Sequence, residues 1–141
     1  MAVAQYIAGM GFSNVGLGLV HGMAHPLGAY FDVPHGVANA LLLPTVMQYN
    51  MPSSVDKYAD IAKAMGVDVS GMSKEAAAQA AVDAVKALAV KVGIPANLRA
   101  LNVPAESLEA LATSAFNDVC TPGNPREVAL ADVLELYKSV Y

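Results

Sequence analysis

The sequence predicts an all-α fold, a bundle of about six or seven helices forming a single domain over residues 1–141. Apolar residues recur at helical spacing through most of the chain, and no stretch shows the period-two alternation of a half-buried strand. Capping residues, glycines and prolines bound the periodic segments. Hydrophobic residues make up 55% of the chain, which is typical of a piece of a larger protein whose apolar faces are covered elsewhere.

The first third of the chain predicts three apolar helices. A helix over 2–13 carries one stripe at helical spacing: Val3, Tyr6, Ile7 and Met10. A second helix over 17–30 is followed by Pro34, which biases the residue before it toward extended conformations. A third helix over 36–49 contains Pro44, which removes a backbone hydrogen bond and is expected to bend or break it.

The middle of the chain predicts two amphipathic helices with recognisable ends. Ser54 is a predicted N-cap, and Gly66 fits the position after a helix C-terminus. Ser73 starts a long alanine-rich helix over 74–92, which stops at Gly93. This helix has one apolar face to bury: Val82, Val85, Leu88 and Val92.

The last third predicts a single turn, two helices and a loop. The turn covers 97–101, and the loop covers 120–125, where proline and glycine are frequent. A helix beginning at Pro104 has four residues on one stripe: Leu108, Leu111, Ala112 and Ala115. The final helix ends near Tyr141 and turns four side chains inward: Leu130, Val133, Leu134 and Tyr137.

Composition excludes several classes of partner. The net charge is −4 without a Lys/Arg cluster, so nucleic acid and acidic membranes are not expected partners. The single cysteine, Cys120, forbids an intrachain disulfide and fits a reducing, cytoplasmic location. Only Asp32 is charged between Met1 and Val55, but polar residues and prolines interrupt every candidate membrane span. Because no basic region precedes the apolar start, we do not expect a secretory signal peptide.

A glycine pattern in the same region resembles a nucleotide-binding loop only superficially. The spacing is Gly16-x-Gly18-x-x-x-Gly22. The dinucleotide fingerprint requires a preceding strand and a differently placed third glycine. We therefore do not interpret this stretch as a nucleotide site.

All three histidines of the chain, His21, His25 and His35, lie within fifteen residues. Residues four apart on a helix are about 6 Å from each other, so His21 and His25 share a face. A sharp turn after this helix can bring His35 beside them. Neutral imidazole is a common metal ligand and proton shuttle. Spacing alone leaves three alternatives: a catalytic metal centre, a non-catalytic helical module binding one ion through all three, or histidines satisfied in the core.

Several motifs together resemble one family. The central ones are Gly18-Leu-Val-His21-Gly-Met-Ala-His25-Pro-Leu-Gly28 and Pro34-His35-Gly-Val-Ala-Asn39. Further fitting stretches are Gln5-Tyr-Ile-Ala-Gly-Met-Gly-Phe-Ser-Asn14, Leu43-Pro-x-Val-Met-x-Tyr-Asn50, Val92-Gly-Ile-Pro95 and Val119-Cys-Thr-Pro-Gly-Asn-Pro-Arg-Glu127. The chain thus resembles the iron-containing (group III) alcohol dehydrogenases, especially the lactaldehyde/1,2-propanediol and 1,3-propanediol oxidoreductases, nearly from end to end.

The resemblance implies a part of a larger enzyme. Family members are longer and carry an N-terminal Rossmann-like domain for NAD(P), followed by a helical, dehydroquinate-synthase-like domain that holds the metal. This chain resembles the C-terminal part of that helical domain. The family uses an aspartate, a histidine four residues later, and two further histidines as ligands. His21 and His35 match the later two, while the earlier pair would lie upstream of Met1.

The resemblance also implies the remaining roles. His25 matches a catalytic position near the nicotinamide and substrate, and Phe12 and Cys120 match positions in the substrate pocket. The intact enzyme is expected to use Fe²⁺ or Zn²⁺ with NAD(P) to interconvert small primary alcohols or diols and aldehydes. We expect a homo-oligomer. We also expect the isolated chain to bind metal weakly and to lack turnover, since catalytic sites normally keep three protein ligands.

Overall fold

The computed structural model describes all residues, 1–141, and is built entirely from helices and turns. The α-helices are α1 (Ala2–Ser13), α2 (Leu19–Phe31), α3 (His35–Asn50), α4 (Val55–Ala64), α5 (Lys74–Lys91), α6 (Leu108–Phe116) and α7 (Leu130–Ser139). Short 3₁₀ turns lie at Met51–Ser53, Arg99–Leu101, Ala105–Ser107 and Thr121–Gly123. The prediction of an all-α bundle is therefore confirmed. None of the helices combines the length and the apolar character that crossing a bilayer requires.

The core forms around α2, which packs against α3 on one side and α6 on another. α7 packs against α6, while α4 and α5 form a hairpin that joins the bundle through α3. The largest fully buried side chains come from α2, α3, α6, α7 and the segment before the Arg99 turn: Leu19, Met23, Leu27, Leu42, Val46, Leu98, Leu111, Val133 and Tyr137. Because α2 is central, the histidines it carries have a rigid support.

The predicted helix boundaries are close to the observed ones, with small corrections. α2 starts and ends slightly later than predicted, at Leu19 and Phe31, and α3 extends one residue further at each end. Pro44 does not break α3, which continues to Asn50. The cost of the missing hydrogen bond is offset by buried side chains on both sides of the proline, including Leu42 and Val46.

The predicted caps differ in how they act. The Ser73 side chain accepts a hydrogen bond from the Ala76 N–H at 3.2 Å, which caps α5 as expected. Ser54 occupies the N-cap position of α4 without a side-chain hydrogen bond. The helix predicted from Pro104 begins as a 3₁₀ turn before α6 starts at Leu108. Within the predicted loop 120–125, Thr121–Gly123 also forms a 3₁₀ turn.

The predictions of which apolar residues are buried are partly wrong. α5 buries Ala77, Ala78, Ala81 and Val82, whereas Leu88 and Val92 are 49% and 63% exposed. α5 packs against α3 and α4, and the residues that it buries lie in its N-terminal half, where small alanines allow close approach. Leu130, at the first position of α7, is also exposed, although Val133 and Tyr137 point inward as predicted. α1 buries no residue, so its apolar stripe faces outward.

Candidate active site

The three histidines meet between the first half of α2, which carries His21 and His25, and the start of α3, which is His35. Asp32 follows α2 with a left-handed φ of 53°, and its N–H donates to the Gly28 carbonyl at 3.1 Å. The chain then reverses over three residues, so that His35 opens α3 beside the histidine face of α2. The ring centroids of His21 and His35 are 5.4 Å apart, and those of His25 lie 6.0 Å from His21 and 5.7 Å from His35.

The spacing of His21 and His35 suits two ligands of one ion. With metal–nitrogen bonds of about 2.1 Å, two imidazoles on one tetrahedral ion have ring centroids roughly 5 to 5.5 Å apart. The 5.4 Å separation lies within this range. Imidazole nitrogen is a suitable ligand for both iron and zinc. The donor set of these two residues therefore fits a divalent transition metal, provided that other groups complete the coordination.

The environment of His21 favours its neutral form. Burial lowers the pKa of His21, and the neighbouring His35 and His25 lower it further, while Asp118 acts weakly in the opposite direction. A neutral imidazole keeps the lone pair that a metal ligand needs. His21 is thus suited to bind a cation near neutral pH.

His35 has a competing contact. The Asn39 amide nitrogen lies 3.1 Å from His35 Nε2 and also donates to the His35 backbone carbonyl at 2.9 Å. The Asn39 side-chain oxygen is buried without a hydrogen-bond partner, which is energetically unfavourable. If an ion took the ring nitrogen, Asn39 would keep its bond to the backbone carbonyl. The contact with Asn39 therefore does not prevent His35 from acting as a ligand.

His25 is engaged differently, by a carboxylate that no sequence pattern predicted. His25 Nδ1 lies 2.8 Å from Asp118 Oδ2, and the two side chains are 38% and 16% exposed. Asp118 Oδ1 accepts a hydrogen bond from the Cys120 backbone N–H at 2.8 Å. Burial alone would raise the pKa of Asp118, but hydrogen bonds from Cys120 and His25 outweigh it and lower that pKa. Asp118 is therefore an ionised partner for His25.

The loop that carries Asp118 and Cys120 is tied to α2 and α3. The Thr121 hydroxyl donates to the Ala115 carbonyl at 2.6 Å, and Gly22 of α2 lies so close that a Cβ there would collide with this hydroxyl. Asn50 and Asn124 exchange two amide hydrogen bonds, at 2.7 and 2.8 Å. These contacts hold the loop against the helices that carry the histidines.

A second tie joins the far end of this loop to α3. The Arg126 guanidinium stacks 4.0 Å over the Tyr49 ring and donates to the Tyr49 carbonyl at 2.8 Å. The single hydrogen of the Tyr49 hydroxyl is shared between the Glu127 carbonyl oxygen at 2.8 Å and Asp132 Oδ2 at 3.0 Å. Hydrogen bonds and stacking therefore join the segment from Val119 to Glu127 to α3.

A cavity of about 720 Å³ opens beside His21. Its lining comes from α1, α2, α3 and the loop, and includes Phe12, Leu43, Asn39 and Asn124. The Phe12 ring centroid lies 6.4 Å from that of His21. The structure thus places Phe12 at a cavity next to a candidate ligand, a setting in which it could contact a small organic molecule.

Cys120 lies outside the lining of that cavity, beside Asp118 and His25. Burial raises the pKa of its thiol, and the Asp118 carboxylate raises it further. One ligand atom each from His25, Asp118 and Cys120 falls within 4.8 Å of the others, and this is the only such group of three in the chain. The three histidines do not form such a group.

Comparison with known proteins gives a consistent family. The protein-family model described as "Fe-containing alcohol dehydrogenase family, C-terminal" matches residues 1–141. Lactaldehyde reductase of Escherichia coli K12 is 62% identical over 141 residues, which are 100% of this chain and 37% of that protein. The 1,3-propanediol dehydrogenase of Citrobacter freundii is 42% identical over 141 residues, covering 100% of this chain and 36% of that protein.

Solved structures agree with the sequence comparison. The alcohol dehydrogenase from Oenococcus oeni superposes with a TM-score of 0.91 at 37% identity, covering 95% of this chain and 35% of that one. The structure of a 1,3-propanediol oxidoreductase superposes with a TM-score of 0.87 at 40% identity, covering 89% of this chain and 33% of that one. The chain spans little more than a third of the length of the curated relatives it matches.

Proposed function

Because the chain belongs to the iron-containing alcohol dehydrogenase family, matching its C-terminal region, we propose that it forms the metal-holding helical part of an NAD(P)-dependent oxidoreductase. The reaction interconverts small primary alcohols or diols with aldehydes. The observation that carries the proposal is the convergence of the His21 and His35 rings, 5.4 Å apart, beside a cavity lined by Phe12. The lone Cys120 is in keeping with a cytoplasmic enzyme.

In this proposal His21 and His35 each give one ring nitrogen to a divalent metal, Fe²⁺ or Zn²⁺. When bound, such an ion supplies Lewis acidity that lowers the pKa of an alcohol hydroxyl, and a nicotinamide supplies the hydride acceptor. His25, hydrogen-bonded through Nδ1, accepts or returns the hydroxyl proton at its other nitrogen. Phe12 lines the cavity beside His21, where its ring would contact the carbon chain of the substrate.

The substrate class and the remaining groups follow from the relatives. The relative at 62% identity is a lactaldehyde reductase, so we propose lactaldehyde and 1,2-propanediol as the substrate pair. Other relatives are named for NAD or for NADPH, which leaves either nucleotide open. The intact enzyme would supply an aspartate, a further histidine and a nucleotide-binding domain upstream of these residues. A homo-oligomer remains part of the proposal.

Histidine substitutions in the intact enzyme test the proposal. His21→Ala and His35→Ala should each lower the bound metal, measured by plasma mass spectrometry, and abolish NAD(P)-linked oxidation of 1,2-propanediol. His25→Ala should keep the metal but lose most of the turnover. Asp60→Asn, at an exposed ion pair, is the control and should retain both. Full metal content in both His21→Ala and His35→Ala would contradict the assignment.

The same measurements separate the dehydrogenase from a non-catalytic helical metal-binding module. A module in which all three histidines hold one ion would lose metal equally in His21→Ala, His25→Ala and His35→Ala. It would also show no turnover in the unsubstituted enzyme. Retained metal in His25→Ala together with substrate oxidation by the unsubstituted enzyme supports the dehydrogenase.

The isolated 141-residue chain provides a further prediction. The chain offers two imidazole ligands, whereas catalytic metal sites normally keep three protein ligands. The isolated chain should therefore bind Zn²⁺ more weakly than the intact enzyme and show no turnover. Titration calorimetry with Zn²⁺ and an NADH absorbance assay would measure both. Oxidation of 1,2-propanediol by the isolated chain would contradict this expectation.

A further inference from the structure

Asp118 and His25 form a pair that neither the family motifs nor the sequence spacing assigns. Their side chains meet at 2.8 Å although they are 93 residues apart, and Asp118 is the more buried partner. His25 Nδ1 is the nitrogen engaged, and no other hydrogen bond to His25 side-chain atoms occurs in the structure. Nε2 is therefore the nitrogen available for chemistry.

The Asp118 carboxylate is fixed on both oxygens. Oδ2 faces His25, and Oδ1 accepts the Cys120 N–H at 2.8 Å. The backbone carbonyl of Asp118 also accepts from the Thr121 N–H at 3.1 Å. Because the side chain is held in the turn that it caps, it cannot easily rotate away from the imidazole.

The position of this turn relative to α2 is also fixed. Gly22 lies three residues before His25 and so on nearly the same face of the helix. The absence of a Cβ at Gly22 lets the Thr121 hydroxyl approach the helix closely. Thr121 is itself buried and bonded to Ala115. The contact between Gly22 and Thr121 therefore sets the distance at which Asp118 meets His25.

We propose that Asp118 is a positioning residue that holds His25 in the tautomer with the proton on Nδ1 and the lone pair on Nε2. An ionised carboxylate can only accept, so a neutral imidazole facing it must present N–H at Nδ1. The same carboxylate stabilises the imidazolium formed when Nε2 takes a proton. This inference rests on the proposed function, in which His25 relays the proton of the alcohol.

The first test measures the tautomer and does not depend on turnover. The ¹⁵N shifts of labelled histidine in the zinc-loaded intact enzyme should show Nδ1 protonated at His25 above the pH at which the ring loses its extra proton. Asp118→Asn should shift the population toward the Nε2-protonated form, because the amide can present its NH₂ to Nδ1. A wild-type His25 already protonated at Nε2 would overturn the inference.

The second test measures kinetics in the intact enzyme. Asp118→Asn should lower kcat roughly 10- to 100-fold, the range found for the hydrogen-bond partners of metal-binding histidines, applied here to a histidine beside the metal site. The KM for 1,2-propanediol and the metal content should change little. In a His25→Ala background the same substitution should have almost no further effect on kcat, since the group that it positions is absent. Asp60→Asn, a shape-matched change at an exposed aspartate, should leave kcat unchanged in both backgrounds.

The outcomes separate this inference from the proposed function. Wild-type kcat in Asp118→Asn, together with loss of turnover in His25→Ala, would overturn the role of Asp118 and leave the dehydrogenase proposal standing. An equal loss from Asp118→Asn with and without His25 would also overturn it, by showing a structural role. An inactive unsubstituted enzyme would overturn the proposed function, and the tautomer measurement would then decide the Asp118–His25 contact.

Discussion

The Asp118 carboxylate interacts directly with two titratable side chains, His25 and Cys120. It accepts from the Cys120 backbone N–H at 2.8 Å and interacts with the thiol as well. For an acid such as a thiol, a nearby negative charge disfavours ionisation. Burial and Asp118 together therefore raise the pKa of Cys120, which makes this cysteine a weak nucleophile despite its partial exposure.

The thiol of Cys120 should consequently react slowly with alkylating reagents. The thiolate is the reactive species, so a raised pKa means a smaller reactive fraction at pH 8 than in a free cysteine. Asp118→Asn removes one of the two causes, which lowers the pKa and should speed labelling by iodoacetamide several-fold at this pH. Timed labelling followed by intact-mass measurement between pH 7 and 10 gives the profile.

One result of the labelling experiment would contradict the raised pKa of Cys120. Labelling of the unsubstituted protein at or above the rate of a free cysteine at pH 8 would show that the thiol pKa is not raised. Asp60→Asn provides the matched control, because Asp60 pairs with Lys63 on an exposed surface. This control should label at the unsubstituted rate.

Single residues of the site were predictable to different degrees. The clustering of His21, His25 and His35 follows from sequence, because residues four apart share a helix face and a proline marks the turn. Family resemblance added Phe12 as a pocket residue, and the structure puts it beside His21. Asp118 was not predicted, since its contact with His25 joins segments 93 residues apart and no local pattern marks it.

At the scale of elements, α2 approaches the Thr121–Gly123 turn closely at Gly22. A methyl group at position 22 would collide with the Thr121 hydroxyl and crowd the Ala115 carbonyl. Glycine costs about 1 kcal/mol relative to alanine in a helix interior. Close packing here therefore outweighs helix propensity at this position.

Gly22→Ala should destabilise the protein in spite of the better propensity of alanine. Overpacking typically costs about 1–3 kcal/mol. Thr121→Ala alone should cost about 1 kcal/mol, because it removes the buried hydrogen bond to Ala115. In the Gly22→Ala/Thr121→Ala variant the Thr121 hydroxyl no longer collides with the new methyl group. The loss of unfolding free energy should therefore be smaller than the sum of the two single losses. Urea unfolding of the four proteins gives this cycle, and strictly additive losses would show that the two positions do not touch.

α7 is attached to α2 by a buried hydroxyl. Tyr137 is fully buried and donates to the Met23 carbonyl at 2.6 Å. Tyr137→Phe should lower the free energy of unfolding by about 1 kcal/mol, the usual net value of one hydrogen bond, without changing the helix content. Tyr6→Phe on the exposed α1 is the control and should have no effect. Urea unfolding followed by circular dichroism measures both, and unchanged stability in Tyr137→Phe would contradict the role of this bond.

The sequence predicted that the elements are helices and where they begin and end to within a few residues, but not which of their faces are buried. Glycines and serines at helix ends, such as Ser73 and Gly93, locate boundaries through local geometry. Periodicity identifies an apolar stripe without identifying its neighbour. On α5 the neighbours α3 and α4 cover alanines, leaving Leu88 exposed.

At the scale of the whole molecule, α1 stands apart from the core. Its stripe of Val3, Tyr6, Ile7 and Met10 is 55–72% exposed, and no residue of the helix is buried. The only charged residue among the first 55 is Asp32, so little electrostatic repulsion opposes contact between copies. Exposed apolar patches of this kind commonly mark interaction surfaces.

The isolated 141-residue chain should therefore self-associate through α1. Substituting lysine at Ile7 and Met10 together should weaken the association, because it places charge on the stripe. Val90→Lys is the control, since Val90 is 74% exposed on a different helix. Sedimentation velocity over a range of concentrations measures the effect. A stable monomer at high concentration in the unsubstituted chain would contradict the prediction.

The paired amides of Asn50 and Asn124 form a contact that hydrolysis of either side chain would break. Each side chain gives the other one donor and one acceptor at 2.7–2.8 Å. Deamidation of either to a carboxylate would replace an NH₂ with an oxygen, and so set two acceptors against each other in a buried place. One slow hydrolysis, with a mass change of a single dalton, would thus loosen the segment that presents Asp118 while leaving every histidine intact.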